Sequence, residues 1–495
     1  MRRGPSQFGT GGGSPMFTVQ PRLRVTSGHP PRSGSFTDVE PRRDAGRAVR
    51  ETKAGSTPAE WGRASSYDGP LMSLAQRARC RRVMALALLA AVEVLAACSS
   101  PSTSEVRIDV DHPVASEDQP IHVRVVGLRP GERVTLMAHT TDQHGLEFES
   151  ANTFAADGRG TVDLATAEPI IGSYQQPDSM AFLWSMVPAH RGTFYVPPVP
   201  KQVVTLTARV GDGTLAARRL TRIVTAAGVV MHAERLGEAG FSGVYFAPPA
   251  SAQRRPAVLA FRGSDGGLSP YIEVVSELLA SHGYPTLAIA YFQESGLPPT
   301  LMSIPLEYFS GALAWLARQP GVDRGRMLTY GVSRGSEAAL LLGVHYPDQV
   351  HGVVALVPSD AAICSYPGCS GAAWTLHGVP LPYTRQFDDP SPSDDPTAVI
   401  PVEQIAGPVF LLCGGADRVW VSCQYAHAVV SRLDTNHAAY RHVLLSYPEA
   451  GHAVGDIAPF QPGSTLYMPG TTPAANPLAD AQAWPALLAF LADQS

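Results

Sequence analysis

Lysine is nearly absent from this chain, occurring at Lys53 and Lys201 alone, and the formal net charge over 495 residues is only −5. No arginine-dense face recurs in the main body either, so the chain lacks the footprint with which proteins neutralise phosphates. Nucleic acid is therefore not an expected partner. Metal-ligand spacing is also missing: the six cysteines form no Cys-x-x-Cys or His-Cys pair, and no metal site is expected. Long hydrophobic runs are lacking too. The most apolar stretch, residues 83–97, falls short of the roughly 20 residues needed to span a bilayer.

What is present is a 44% hydrophobic content, enough for a large core and for two or three domains. Residues 1–71 are rich in Gly, Pro, Ser, Thr and Arg with few periodic apolar positions, so they are expected to stay disordered. From Met72 the pattern changes. Arg77, Arg79, Arg81 and Arg82 precede the apolar run, and Leu95-Ala96-Ala97-Cys98 closes it, which is the layout of a secretory signal. The same four residues resemble the lipobox of bacterial lipoproteins, with Cys98 lipidated as the mature N-terminus. Residues 72–98 are thus read as a signal peptide, and 1–71 as an extension ahead of the true start. Glu93 is an awkward charge within that run. The reading places the protein on a lipid anchor outside the cytoplasm; the alternative is a cytoplasmic protein.

Four cysteines then remain, Cys364, Cys369, Cys413 and Cys423. They are close enough in sequence for two small-loop disulfides, the alternative being four buried thiols.

Residues 101–225 hold alternating segments at 121–126, 134–139, 161–164, 203–210 and 219–224, separated by turns such as Pro130-Gly131 and Asp157-Gly158. The spacing predicts an all-β immunoglobulin-like sandwich. The aromatic and methionine-rich stretch 180–186 is read as packing against the neighbouring domain, with the capping of a ligand site as the alternative. From about residue 230 to 495 apolar strands (257–261, 286–290, 327–330, 352–357, 409–413, 441–447) alternate with helices (271–282, 305–317, 337–344, 484–492). That alternation predicts an α/β domain with a largely parallel sheet and functional loops at the strands' carboxyl ends.

Gly331-Val332-Ser333-Arg334-Gly335 lies between one of those strands and the helix that follows. A G-x-S-x-G turn from strand to helix holds a serine hydroxyl exposed on a sharp corner. A serine needs a histidine to take its proton and a carboxylate to fix the imidazole tautomer. In an α/β-hydrolase these follow in the order Ser, Asp, His. Asp417 and His452 each lie one short loop beyond a strand. Rival carboxylates are Asp394 and Asp395; rival histidines are His345, His427, His437 and His442. An oxyanion hole calls for two backbone N–H groups. Arg334 is expected to give one and Ser264 the other, with Gly263 and Asp265 as alternatives.

Several segments together resemble the family of acyl-CoA thioesterases and bile acid-CoA:amino acid N-acyltransferases. They are residues 125–131, 180–186, 331–335, 415–420 and 447–452, and the closing stretch from Gly470 to Trp484. The resemblance covers about residues 105–493 and implies an α/β-hydrolase catalytic domain behind an N-terminal sandwich. It further implies a Ser333, Asp417, His452 triad, an acyl-enzyme intermediate, a small-molecule acyl thioester or ester as substrate, and no cofactor. Conjugation to amino acids goes with a cysteine nucleophile in this family, so Ser333 favours hydrolysis. Transfer to an amine or alcohol, and a non-catalytic binding module, are the competing readings. Ser336 departs from the family, where many members carry a second glycine.

Overall fold

The computed structural model describes residues 105–188, 195–251, 253–463 and 474–493. The leading segment 1–71, the signal-like segment 72–98 and Cys98 lie outside the described residues. Among the described residues no helix is long and apolar enough to cross a membrane.

The first part is a β-sandwich. Its smaller sheet pairs Arg107–Val110, Val123–Val126 and Thr161–Asp163. The larger one is built around the antiparallel strands Arg133–Thr141, Glu147–Ala155, Lys201–Val210 and Gly213–Ile223. Along Glu147–Ala155 every second residue is buried, the period of a strand with one face on the core. The stretch around 180–186 forms the short helix Ala181–Trp184, whose four residues are buried in the sandwich core. It packs within the sandwich's own core rather than against the neighbouring domain, because its side chains fill the space between the two sheets.

The second part is an eight-stranded sheet made of β1 (Val230–Glu234), β2 (Ser242–Ala247), β3 (Arg255–Phe261), β4 (Thr286–Ala290), β5 (Val322–Val332), β6 (Val353–Leu356), β7 (Val409–Gly414) and β8 (His442–Tyr447). The strand order is β1-β2-β4-β3-β5-β6-β7-β8. Pairing is antiparallel for β1–β2 and β2–β4 and parallel from β4 to β8. The largely parallel sheet is what the alternation predicts, and the arrangement is the α/β-hydrolase fold that the resemblance implies. Helices α2 (Leu306–Leu316), α3 (Arg334–His345) and α4 (Ser422–Thr435) pack on one face. Helices α1 (Pro270–Ser281) and α5 (Ala475–Ala492) pack on the other. Covered on both faces, the central strands are buried at every position, as in β4 and β6. Because β5, β7 and β8 run parallel, the loops leaving them open at one rim of the sheet, and those loops carry Ser333, Asp417 and His452.

Sandwich and sheet belong to one compact unit. Asp118, from the sandwich, accepts a 2.7 Å hydrogen bond from Trp484 Nε1 on α5 and lies 2.5 Å from His282 Nε2 beyond α1. Burial alone would raise the Asp118 carboxyl, but hydrogen bonds from His282, Ser116 and Trp484 outweigh it and bring it down to about 2. A carboxyl held below its unfolded value adds stability that is complete above about pH 4 and lost as pH falls toward 2. Asp118→Asn is therefore expected to lose about 2 kcal/mol at pH 7. Denaturant unfolding of both proteins at pH 7 and pH 3 checks this, with a smaller gap expected at pH 3.

Candidate active site

The turn from β5 into α3 is held by close backbone contacts. A Cβ added to Gly331 would fall 2.2 Å from the Gly335 carbonyl oxygen, and one added to Gly335 would fall 2.5 Å from that of Arg262. Only glycine fits at either place. Between them Ser333 takes φ 57° and ψ −125°, a left-handed conformation that costs a non-glycine residue about 1–3 kcal/mol. Its N–H donates to the Leu356 carbonyl at the end of β6 (3.0 Å). Ser336, the departure from the family pattern, has a role here. Its hydroxyl donates to the Ser333 carbonyl at 2.6 Å and accepts from the Ser359 N–H at 3.3 Å. A second glycine would offer neither bond, so Ser336 braces the strained residue.

His452 Nε2 lies 3.0 Å from Ser333 Oγ, and His452 Nδ1 lies 2.8 Å from Asp417 Oδ2. The Asp417 side chain is 1% exposed, and its other oxygen accepts from the Val419 N–H (2.9 Å) and the Trp420 N–H (3.4 Å). A carboxylate facing Nδ1 keeps the ring proton there and leaves the Nε2 lone pair aimed at the serine hydroxyl. The two loops are stitched together by Ala416 N–H to the Ala450 carbonyl and Gly415 N–H to the Tyr447 carbonyl, both 2.9 Å. Trp420 stands edge-on to the imidazole, centroids 5.8 Å apart, and is itself fixed by Nε1 donating to the Val357 carbonyl. The rival residues lie elsewhere: Asp394 accepts from Thr384 Oγ1, and His442 pairs with Asp434.

Both cysteine pairs are disulfides, Cys364–Cys369 and Cys413–Cys423. The second joins the end of β7 to the start of α4 and so closes the loop that carries Asp417.

Arg334 is the first residue of α3, where an amide has no partner within its own helix. Facing it is the loop after β3. A Cβ on Gly263 would lie 2.9 Å from both Arg334 N and Ser333 Cβ, so the loop backbone runs directly against the elbow and only glycine fits there. Tyr291 Oη donates to the carbonyls of Arg262 (2.6 Å) and Gly263 (3.3 Å). A trans peptide points its N–H opposite its carbonyl, so the Ser264 N–H projects away from Tyr291. Asp265, the other alternative, is exposed and pairs with Arg262 Nε at 3.0 Å.

Below this amide lies a network that sequence reasoning missed. The Arg334 guanidinium is buried, with Nε 2.6 Å from Glu337 Oε1 but out of line for a hydrogen bond, so this contact is ionic. Its Nη2 donates to the Ile363 carbonyl at 2.7 Å. Glu337 Oε2 accepts from Trp374 Nε1 (2.9 Å) and from the Ile363 N–H (3.1 Å). Burial pushes the Glu337 carboxyl up, with Arg334 and these two donors acting against it. The signal available was a lone acid within an alanine- and leucine-rich helix. Asn476 was missed as well: its Oδ1 accepts the Gly451 N–H at 2.7 Å and so anchors the histidine loop to α5. Among the described residues no cluster of His, Cys, Asp or Glu is placed to hold a metal ion.

Comparison with known proteins agrees with this layout. The N-terminal region of the acyl-CoA thioester hydrolase/BAAT family matches residues 118–234, and its C-terminal region matches residues 304–494. Acyl-coenzyme A thioesterase 6 of Mus musculus is 31% identical over 358 residues, covering 68% of this chain and 82% of its own. The chain belongs to the acyl-CoA thioester hydrolase/BAAT family. Human mitochondrial acyl-coenzyme A thioesterase 2 is 28% identical over 410 residues, covering 75% of this chain and 81% of its own. Acyl-coenzyme A amino acid N-acyltransferase 2 of Rattus norvegicus is 27% identical over 361 residues, covering 69% and 84%. Ser333, Asp417 and His452 all fall in the family's C-terminal region, whereas the Gly263–Ser264 loop lies between the two matched regions.

Proposed function

We propose that this protein is a serine hydrolase of acyl thioesters, acting through an acyl-enzyme on Ser333. The observation that carries the reading is the continuous run from Asp417 Oδ2 through the imidazole of His452 to Ser333 Oγ, at 2.8 Å and 3.0 Å. In the first half-reaction His452 Nε2 takes the serine proton while Oγ attacks the thioester carbonyl. The developing alkoxide is met by the Arg334 and Ser264 amides. The tetrahedral intermediate collapses with loss of the thiol, which receives the proton from His452. In the second half, water attacks the acyl-serine with His452 again as base, releasing the acid and the free serine.

Relatives are named for acyl-coenzyme A as substrate, and that thioester is the first donor to test. Two disulfides support a second reading of the donor, because such bonds persist in oxidising compartments. Together with the Leu95-Ala96-Ala97-Cys98 segment, they favour a lipid-anchored protein outside the cytoplasm, where an acyl ester replaces the coenzyme A thioester as donor. Mass analysis of the mature N-terminus tests the location: lipid on Cys98 supports it, and an unmodified soluble N-terminus rejects it.

The reaction is tested by product analysis with acyl-coenzyme A and p-nitrophenyl esters, with and without glycine or an alcohol present. Free acid is the expected product in every case. An N-acyl or O-acyl product would make the protein a transferase.

A further inference from the structure

Arg334 and Glu337, in the first turns of the helix that leaves the nucleophile, form an ion pair whose residues are 2% and 0% exposed. Stability alone does not account for it. Taking two charges out of water is expensive, and replacing a buried pair by apolar side chains of similar volume is often neutral or stabilising. Nor does α3 gain from Arg334, because a cation in the first turn opposes the helix dipole. What the pair does is fasten that turn to a distant part of the chain. Arg334 Nη2 donates to the Ile363 carbonyl at 2.7 Å and to Glu337 Oε2 at 3.3 Å. Glu337 Oε2 in turn accepts from the Ile363 N–H and from Trp374 Nε1. Both partners belong to the connection 357–408 between β6 and β7. Ile363 is followed there by the Cys364–Cys369 disulfide, and Trp374 opens a short strand paired with Ile304–Pro305. The anchor is therefore itself tied down.

We propose that Glu337, acting through the Arg334 side chain, is a positioning residue for the oxyanion hole: the pair and its bonds to Ile363 and Trp374 fix the first turn of α3 so that the Arg334 N–H meets the developing alkoxide. This rests on the reading of Ser333 as nucleophile. Arg334 carries both ends of the device, since its amide follows the nucleophile directly while its guanidinium holds the anchor. An oxyanion hole works by being preorganised, with donors set about 2.7–3.1 Å from where the alkoxide will form. A misplacement on the order of 1 Å costs about 100-fold in rate. The bonds of both side chains run to Ile363 and Trp374 and not to Asp417 or His452. Loss of the pair as a whole should thus leave the proton path intact and weaken only the binding of the alkoxide.

The test measures kcat and KM on p-nitrophenyl hexanoate beside inhibition by pentyl trifluoromethyl ketone. Ser333 Oγ bonds to the ketone carbon, His452 Nε2 takes the serine proton, and the ketone oxygen becomes an alkoxide seated in the hole, so the adduct mimics the transition state. The double variant Arg334→Met, Glu337→Leu removes both charges at similar volume. It is expected to keep the wild-type thermal unfolding curve, KM and pH–rate profile, and to lose about 10- to 100-fold in kcat with ketone inhibition weakened by a similar factor. Glu337→Gln alone should lose at least as much, because it leaves the guanidinium buried without a counter-charge. Arg334→Lys, which keeps a cation for Glu337, should lose less than the double variant. Wild-type kcat and ketone inhibition in the double variant, a loss confined to KM, or a shifted pH profile would overturn the proposal. So would failure of the double variant to fold, since the pair would then serve the fold and not the amide. Absence of both hydrolysis and ketone inhibition in wild type would instead reject Ser333 as the nucleophile.

Discussion

Ser333→Ala is expected to lower kcat on the order of 10⁶-fold, the cost seen when a serine hydrolase loses its nucleophile. The size of the effect follows from what remains. With Oγ gone no acyl-enzyme can form, and the amides proposed for the oxyanion hole, those of Arg334 and Ser264, would with the binding surface retain only the weak acceleration of a water attack. The fold should survive, because the elbow depends on Gly331, Gly335 and the Ser333 backbone, whose N–H and carbonyl bonds to Leu356 and Ser336 an alanine keeps. Steady-state turnover, read beside an unchanged thermal unfolding curve, checks both statements. A loss of less than about 100-fold would place the chemistry elsewhere.

Asp417→Asn carries the second largest expected effect, a fall in kcat of about 10⁴-fold with little change in KM. The existing hydrogen bonds decide how the amide will sit. Val419 and Trp420 both donate to Oδ1 of Asp417, so the asparagine oxygen stays at that position and the amide nitrogen replaces Oδ2. It then offers N–H to His452 Nδ1, which must become an acceptor, and the ring proton moves to Nε2. That proton points at Ser333 Oγ and blocks its activation. Single-turnover kinetics on a p-nitrophenyl ester measures the acylation step directly. Near-normal acylation would mean that Asp417 only packs against the ring.

The site was legible in sequence where its determinants are local. The glycines around Ser333 are a matter of one turn, and two short loops after two apolar strands pointed to Asp417 and His452. The strands 286–290 and 409–413 stand out because central parallel strands are apolar at every position. Edges and mixed faces do not announce themselves in this way. β1 is an exposed edge strand with no alternation, and Glu147–Ala155 buries Ser150 and Asn152 among its phenylalanines, which hides its period. The supports of the site were illegible for a different reason. Tyr291 reaches back to Arg262, Asn476 reaches Gly451, and Glu337 gathers Arg334, Ile363 and Trp374. Each is a contact between distant segments that only the folded chain brings together. The cysteines lie between these cases: their spacing allowed the Cys364–Cys369 and Cys413–Cys423 bridges but left thiols as an equal alternative.

Peptide mapping after reaction with a fluorophosphonate probe is the most direct measurement of Ser333 as a nucleophile driven by His452 and Asp417. A single adduct on the peptide containing Ser333 is the predicted result, absent in Ser333→Ala and formed far more slowly in His452→Ala. An adduct on another residue, or full labelling of Ser333→Ala, would contradict it.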